Sequence, residues 1–120
     1  MNTRTVVDFK VEQDIWPVIE QWAQAENFGF KEALSPSARL YQRGSGFLTA
    51  PMRFMADIRD GRVHMEMWVY TPFFNRLFAF FLVPEEMGVE SGGFKLVLPR
   101  NMARQSFNKL LAHLQQAPIP

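Results

Sequence analysis

Residues 52–70 read MRFMADIRDGRVHMEMWVY, and this stretch decides the fold. Asp60-Gly61 is a two-residue turn signal, because both residues tolerate the positive φ of a type I′ turn. With that pair at the tip, the flanking runs fall into one register. Ile58 faces Val63, Ala56 faces Met65, Phe54 faces Met67 and Met52 faces Val69, so one side is wholly apolar. On the other side Arg59 meets Arg62, Asp57 meets His64, Met55 meets Glu66 and Arg53 meets Trp68. Side chains alternate along a strand, so a one-residue slip would mix the two sides. The spacing predicts a hairpin with one dry face and one mostly polar face.

Upstream, residues 5–11 read TVVDFKV, with Thr5, Val7, Phe9 and Val11 on one side, which predicts a half-buried strand. Asp14 suits a helix cap, and Pro17 is tolerated in the first turn. Ile15, Ile19, Trp22, Ala23 and Glu26 share a helical face with Val18 beside it, and Asn27 and Gly29 supply the stop. Residues 30–34 and 39–43 read as short strands joined by Ser35-Pro36-Ser37. Gly44-Ser45-Gly46 breaks the ladder, and 47–51 reads as a connecting loop.

Downstream, Pro72 ends the second hairpin strand. Residues 73–83 are expected to form a short helix with Phe74, Leu77, Phe78 and Phe81 on one face. A polar connection covers 84–93, an edge strand is expected over 94–98, and Pro99 suits the first turn of a final helix. Its apolar stripe is Met102, Ala103, Phe107, Leu110, Leu111 and Leu114, and Pro118 and Pro120 prevent continuation. The elements predict a single α+β domain over 1–120: an antiparallel sheet with helices packed on one face. The β-α-β4-α order matches that of the TATA-binding-protein-like fold class, with a secretion-chaperone-like α+β arrangement as the alternative. Element order transfers no function.

Composition narrows the function classes. The chain has 120 residues, enough for one real core, and 13 Lys+Arg against 12 Asp+Glu leave a net charge of +1. Such a balance offers few phosphate contacts, so no nucleic-acid partner is expected. The absence of cysteine excludes disulfides, thiolate metal sites and a cysteine nucleophile, and fits a reducing compartment. Residues 1–10 show no secretory signal, so cytoplasmic residence is the expectation. Residues 67–83 are apolar but are interrupted by Pro72, Asn75 and Arg76 and fall short of the roughly 20 residues a spanning helix needs. No transmembrane segment is expected; contact with a membrane surface stays open.

The segments 43–51 (RGSGFLTAP), 86–94 (EMGVESGGF) and 98–101 (LPRN) carry a likeness. From about Trp22 onward the chain resembles a family of small uncharacterised bacterial proteins. That resemblance implies no activity and supplies no catalytic residues. Family members have a shorter segment where this chain has 73–83, which marks the aromatic run as a local elaboration.

Four groups of residues are candidates for chemistry. Asp57 opposite His64 could orient an imidazole for general-base work, or could be a plain cross-strand charge pair. His113 is the only other histidine, so no metal-ligand motif is present. Arg53 opposite Trp68 suggests a cation–π contact. Trp68 and Tyr70, if uncovered, would make a platform able to stack a base; covering by the aromatic run or a second subunit is the favoured expectation. Arg100 and Arg104 at a helix start oppose the macrodipole, which a bound anion would reverse; salt bridges to Glu85, Glu86 or Glu90 are the plainer alternative. No phosphate-loop or dinucleotide motif exists, and Ser45 lacks the nucleophile-elbow pattern.

The leading expectation is a non-enzymatic interaction module without cofactor or metal. It would be a homodimer joined through aromatic surface (Trp68, Tyr70, Phe74, Phe78, Phe81) or through the sheet. The alternatives are a carrier of a small hydrophobic or lipid-like ligand, and an enzyme using His64 with Asp57 or Arg100 with Arg104.

Overall fold

The computed structural model describes residues 2–44, 50–71, 85–92 and 97–120. Its elements are β1 (Thr5–Lys10), α1 (Trp16–Ala25), β2 (Gly29–Ser35), β3 (Ala38–Arg43), β4 (Met52–Arg59), β5 (Arg62–Tyr70), β6 (Glu86–Met87) and α2 (Val97–His113). Among the described residues this is an α+β fold with one antiparallel sheet and two helices. The strand order is β1-β5-β4-β3-β2, with β6 also paired to β5. β1 and β6 therefore lie end to end along a single edge of β5, β1 against residues 62–67 and β6 against 69–70.

The hairpin has the register that its sequence demands, from Met52 opposite Val69 to Arg59 opposite Arg62. Asp60 and Gly61 take φ of 50° and 75°, the left-handed pair of a type I′ turn. Met52, Phe54, Ala56, Val63, Met65, Met67 and Val69 are buried beneath the helices, with Ile58 packed at the margin. The other side of the sheet carries the polar set.

Both helices follow their apolar periodicity. In α1, Asp14 Oδ1 accepts from the Trp16 amide at 3.0 Å, although Ile15 occupies the cap position itself. Ile15, Ile19, Trp22 and Ala23 are buried. Asn27 ends the helix in the left-handed region at φ 63°, with Phe28 N donating to Ala23 O at 2.8 Å and Asn27 N to Gln24 O at 3.3 Å. This is a Schellman motif. Gln115 closes α2 the same way, with Gln116 N donating to Leu111 O at 2.8 Å.

Trp22 joins the layers. Its ring stacks on Phe28 at 4.9 Å and meets Phe54 edge-on at 4.8 Å, while Nε1 donates to Ser106 O of α2 at 2.7 Å. Phe107 of α2 reaches Phe54 at 5.9 Å.

Several expectations need correction. Leu98 belongs to α2 rather than to an edge strand, and is 71% exposed. Met102, placed on the buried stripe, is 39% exposed, whereas Ala103, Phe107, Leu110 and Leu111 are buried. The connection after the aromatic run contains β6, so five strands follow α1 rather than four. The expected helix over 73–83 and the segment 94–96 lie outside the described residues. No helix among the described residues is long and apolar enough to cross a membrane.

Candidate functional site

The polar face of the sheet is organised by β1, whose pairing sets Asp8 opposite His64 and Val6 opposite Glu66. His64 Nδ1 lies 2.6 Å from Asp8 Oδ1, and His64 Nε2 lies 2.6 Å from Glu66 Oε2. Glu66 Oε1 in turn accepts from Arg4 Nη1 at 2.9 Å, and Arg4 donates through Nε and Nη2 to Glu86 of β6 at 2.8 Å each. The Arg4 guanidinium stacks over the Trp68 ring, 3.7 Å from its centroid. A ladder of alternating charge thus ties β1 and β6 to β5.

The ladder explains its own titration. Hydrogen bonding to Glu66, then to Asp8, holds the His64 imidazole above its ordinary value against partial burial. Burial pushes the Glu66 carboxyl up, but hydrogen bonds from His64 and Arg4 outweigh it and leave it below the usual range. With both ring nitrogens engaged by carboxylates, His64 acts as a charged clamp, with no lone pair open to a substrate or metal. Among the described residues no group of three or more His, Asp or Glu is placed to hold a metal ion.

A pH dependence follows. The folded value of His64 lies above the unfolded one of about 6.5. Its contribution is therefore fully present below that value and is lost as pH rises through the higher folded value. The side chain is 39% exposed, so screening holds the effect to about 0.5 kcal/mol. Urea unfolding at pH 6 and pH 8.5 should show this loss, and His64→Gln should flatten it; an unchanged slope in that variant would remove the clamp.

The pair expected between Asp57 and His64 is replaced by other bonds. The two residues are opposite in register, but Asp57 accepts from Arg59 at 2.9 and 3.2 Å and from the Ser37 hydroxyl at 2.7 Å. Arg59, then Ser37, holds that carboxyl below its ordinary value. Arg53 stacks not on Trp68, its opposite residue, but over Tyr70 at 4.0 Å, and donates to Gln42 Oε1 at 2.8 Å. Trp68 is 2% exposed, so it offers no open platform for a base, and among the described residues its buried Nε1 has no hydrogen-bond partner. Tyr70 is half-buried. Phe74, Phe78 and Phe81 lie outside the described residues.

Arg100 and Arg104 come together, but around main chain. Arg100 is 8% exposed and donates through Nε to Gly88 O at 2.9 Å and through Nη2 to Glu90 O at 2.6 Å. Arg104 donates to Val89 O at 3.2 Å and to Asn101 Oδ1 at 2.5 Å. The amides of Gly88 and Val89 donate to the Thr3 and Thr5 hydroxyls at 2.9 and 2.8 Å. Guanidinium donors of both arginines thus fasten residues 88–90 between β1 and α2.

Two further features were not singled out in the sequence. Ser106 donates to Glu26 Oε1 at 2.7 Å, and Lys109 reaches Glu26 Oε2 at 3.3 Å, linking the end of α1 to α2. A carboxylate on the inward stripe of α1 was the available signal for such a partner. The second is the free edge of the sheet. Among the described residues β2 pairs only with β3, through a ladder interrupted between Phe30 and Glu32 and between Ala33 and Ser35. On it Phe30 is 58% and Leu34 50% exposed. No family model, curated protein or solved structure matches the chain.

Proposed function

We propose that the protein is a non-enzymatic interaction module that forms a homodimer across β2. The observation that carries this is the pair of large apolar side chains, Phe30 and Leu34, standing exposed on an edge strand. Open edges invite another strand, and an apolar residue gains by being covered. The order Phe30-Lys31-Glu32-Ala33-Leu34 suits a second copy turned end for end about a two-fold axis. Centred at Glu32, that pairing sets each Phe30 against Leu34 of the second copy and the two Glu32 residues against each other. The irregular ladder shortens the strand that can be added, so side-chain contact carries the association. The aromatic run 73–83 belongs to the same proposal as a further contact. The cysteine-free composition supports a reducing, cytoplasmic setting.

Sedimentation equilibrium tests this. The natural chain should dimerise with Kd in the micromolar range, as a small interface does. Phe30→Asp should weaken the dimer at least tenfold. Glu32→Gln should tighten it, because it removes like charges from the axis, and Phe78→Asp probes the aromatic run. A natural chain that stays monomeric at high concentration refutes the proposal.

A further inference from the structure

A row of like charges crosses the polar face at the hairpin tip. Lys10 of β1 is opposite Arg62 of β5, and Arg62 is opposite Arg59 of β4. Directly opposite residues share a face, so three cations stand abreast on three neighbouring strands, an arrangement that destabilises a sheet. The backbone enforces it. Val11 N donates to Gly61 O at 2.8 Å, which pins the end of β1 against the turn and Lys10 beside Arg62.

The nearby carboxylates relieve the row at Arg59 alone, through Asp57. Asp8 is held by His64, and Asp57 by Arg59 and Ser37. Among the described residues neither Lys10 nor Arg62 makes an ion pair. The row lines a concavity of about 880 Å³, together with Asp8, Asp57, Asp60 and His64. That volume falls in the range of small-molecule sites.

We infer that this concavity binds a phosphate group, as the free ion or as a monoester. The Arg62 fork matches phosphate oxygens bidentately and Lys10 adds a point charge, while Arg59 stays paired with Asp57. A dianion set over the row converts the cross-strand repulsion of Lys10 and Arg62, the two cations without an ion pair among the described residues, into attraction to both. Two such cations suit one phosphate group rather than a nucleic-acid backbone. This site is independent of β2 and of association through it.

Thermal unfolding of the full chain, in inorganic phosphate against sodium chloride at matched ionic strength, tests the inference. Phosphate in excess should raise Tm by about 5 °C over chloride. Arg62→Gln should raise Tm in chloride by about 1–3 °C, because it relieves the row, and should abolish the phosphate increment. Lys10→Gln should act in the same direction and serves if the first variant does not fold. Glycerol 3-phosphate, and vesicles of phosphatidic acid against phosphatidylcholine, separate a soluble ester from a lipid headgroup; Arg62-dependent binding to either supports the site and names its source. Equal Tm in phosphate and chloride, or a full phosphate increment in Arg62→Gln, overturns it.

Discussion

Trp22→Ala is expected to remove about 3–5 kcal/mol of folding stability, the range for truncating a buried aromatic residue. The side chain is buried in contact with Phe28 and Phe54, and its N–H is bonded to the Ser106 carbonyl. Truncation opens a cavity where α1, α2 and β4 meet and removes the Trp22–Ser106 bond between the helices, itself worth about 0.5–1.5 kcal/mol. Domains of this size are stable by about 5–15 kcal/mol, so the variant should be marginal at room temperature. Trp22→Phe keeps a ring but loses the donor, and should fall between the two. Urea denaturation measures all three proteins. A loss under about 1 kcal/mol for the alanine variant would mean that Trp22 is not the joint between the layers.

Gly61→Val should be nearly as damaging, for a reason confined to the backbone. Gly61 has φ of 75°, and a Cβ there would sit 2.8 Å from the Val11 carbonyl oxygen. The strain of a β-branched residue in the left-handed region adds to a clash with main chain, together about 2–4 kcal/mol. Relief requires β1 to move off the hairpin tip, so Tm should fall by about 10 °C. Asp60→Gly is the control. Asp60 shares the turn with φ of 50°, and glycine adopts that conformation freely, so this change should stay within about 0.5 kcal/mol. Similar losses in the two variants would show that the turn alone matters, and not the approach of β1.

What the residues disclosed in advance depends on how local the determining physics is. The hairpin and both helices were readable because period-2 and period-3.6 patterns, turn residues and stop signals lie within a few positions of one another, as with Asp60-Gly61 and Asn27. β6 was not readable, because two residues make no period. Leu98 and Met102 misled because they lie near the apolar stripe of α2 yet face outward. The candidate site was legible only in part. Register correctly set Asp57 opposite His64 and Arg53 opposite Trp68, but long side chains reach diagonal neighbours as well as opposite ones. Arg53 therefore takes Tyr70, and Trp68 is taken by Arg4, which the pattern of β1 could not place beside β5. A periodic strand announces itself without announcing its neighbour.

The placement of β1 bears on how the chain is born. Asp8 and His64 are bonded although 56 positions apart. At about 5–20 residues per second, the ribosome needs about 3–11 s to add that stretch. During those seconds Val7 and Phe9 have no strand to lie against, while the consecutive run from β2 to β5 can pair as it emerges. The first strand made thus waits for the fifth, and a nascent chain stalled before residue 62 presents it uncovered to whatever first meets it.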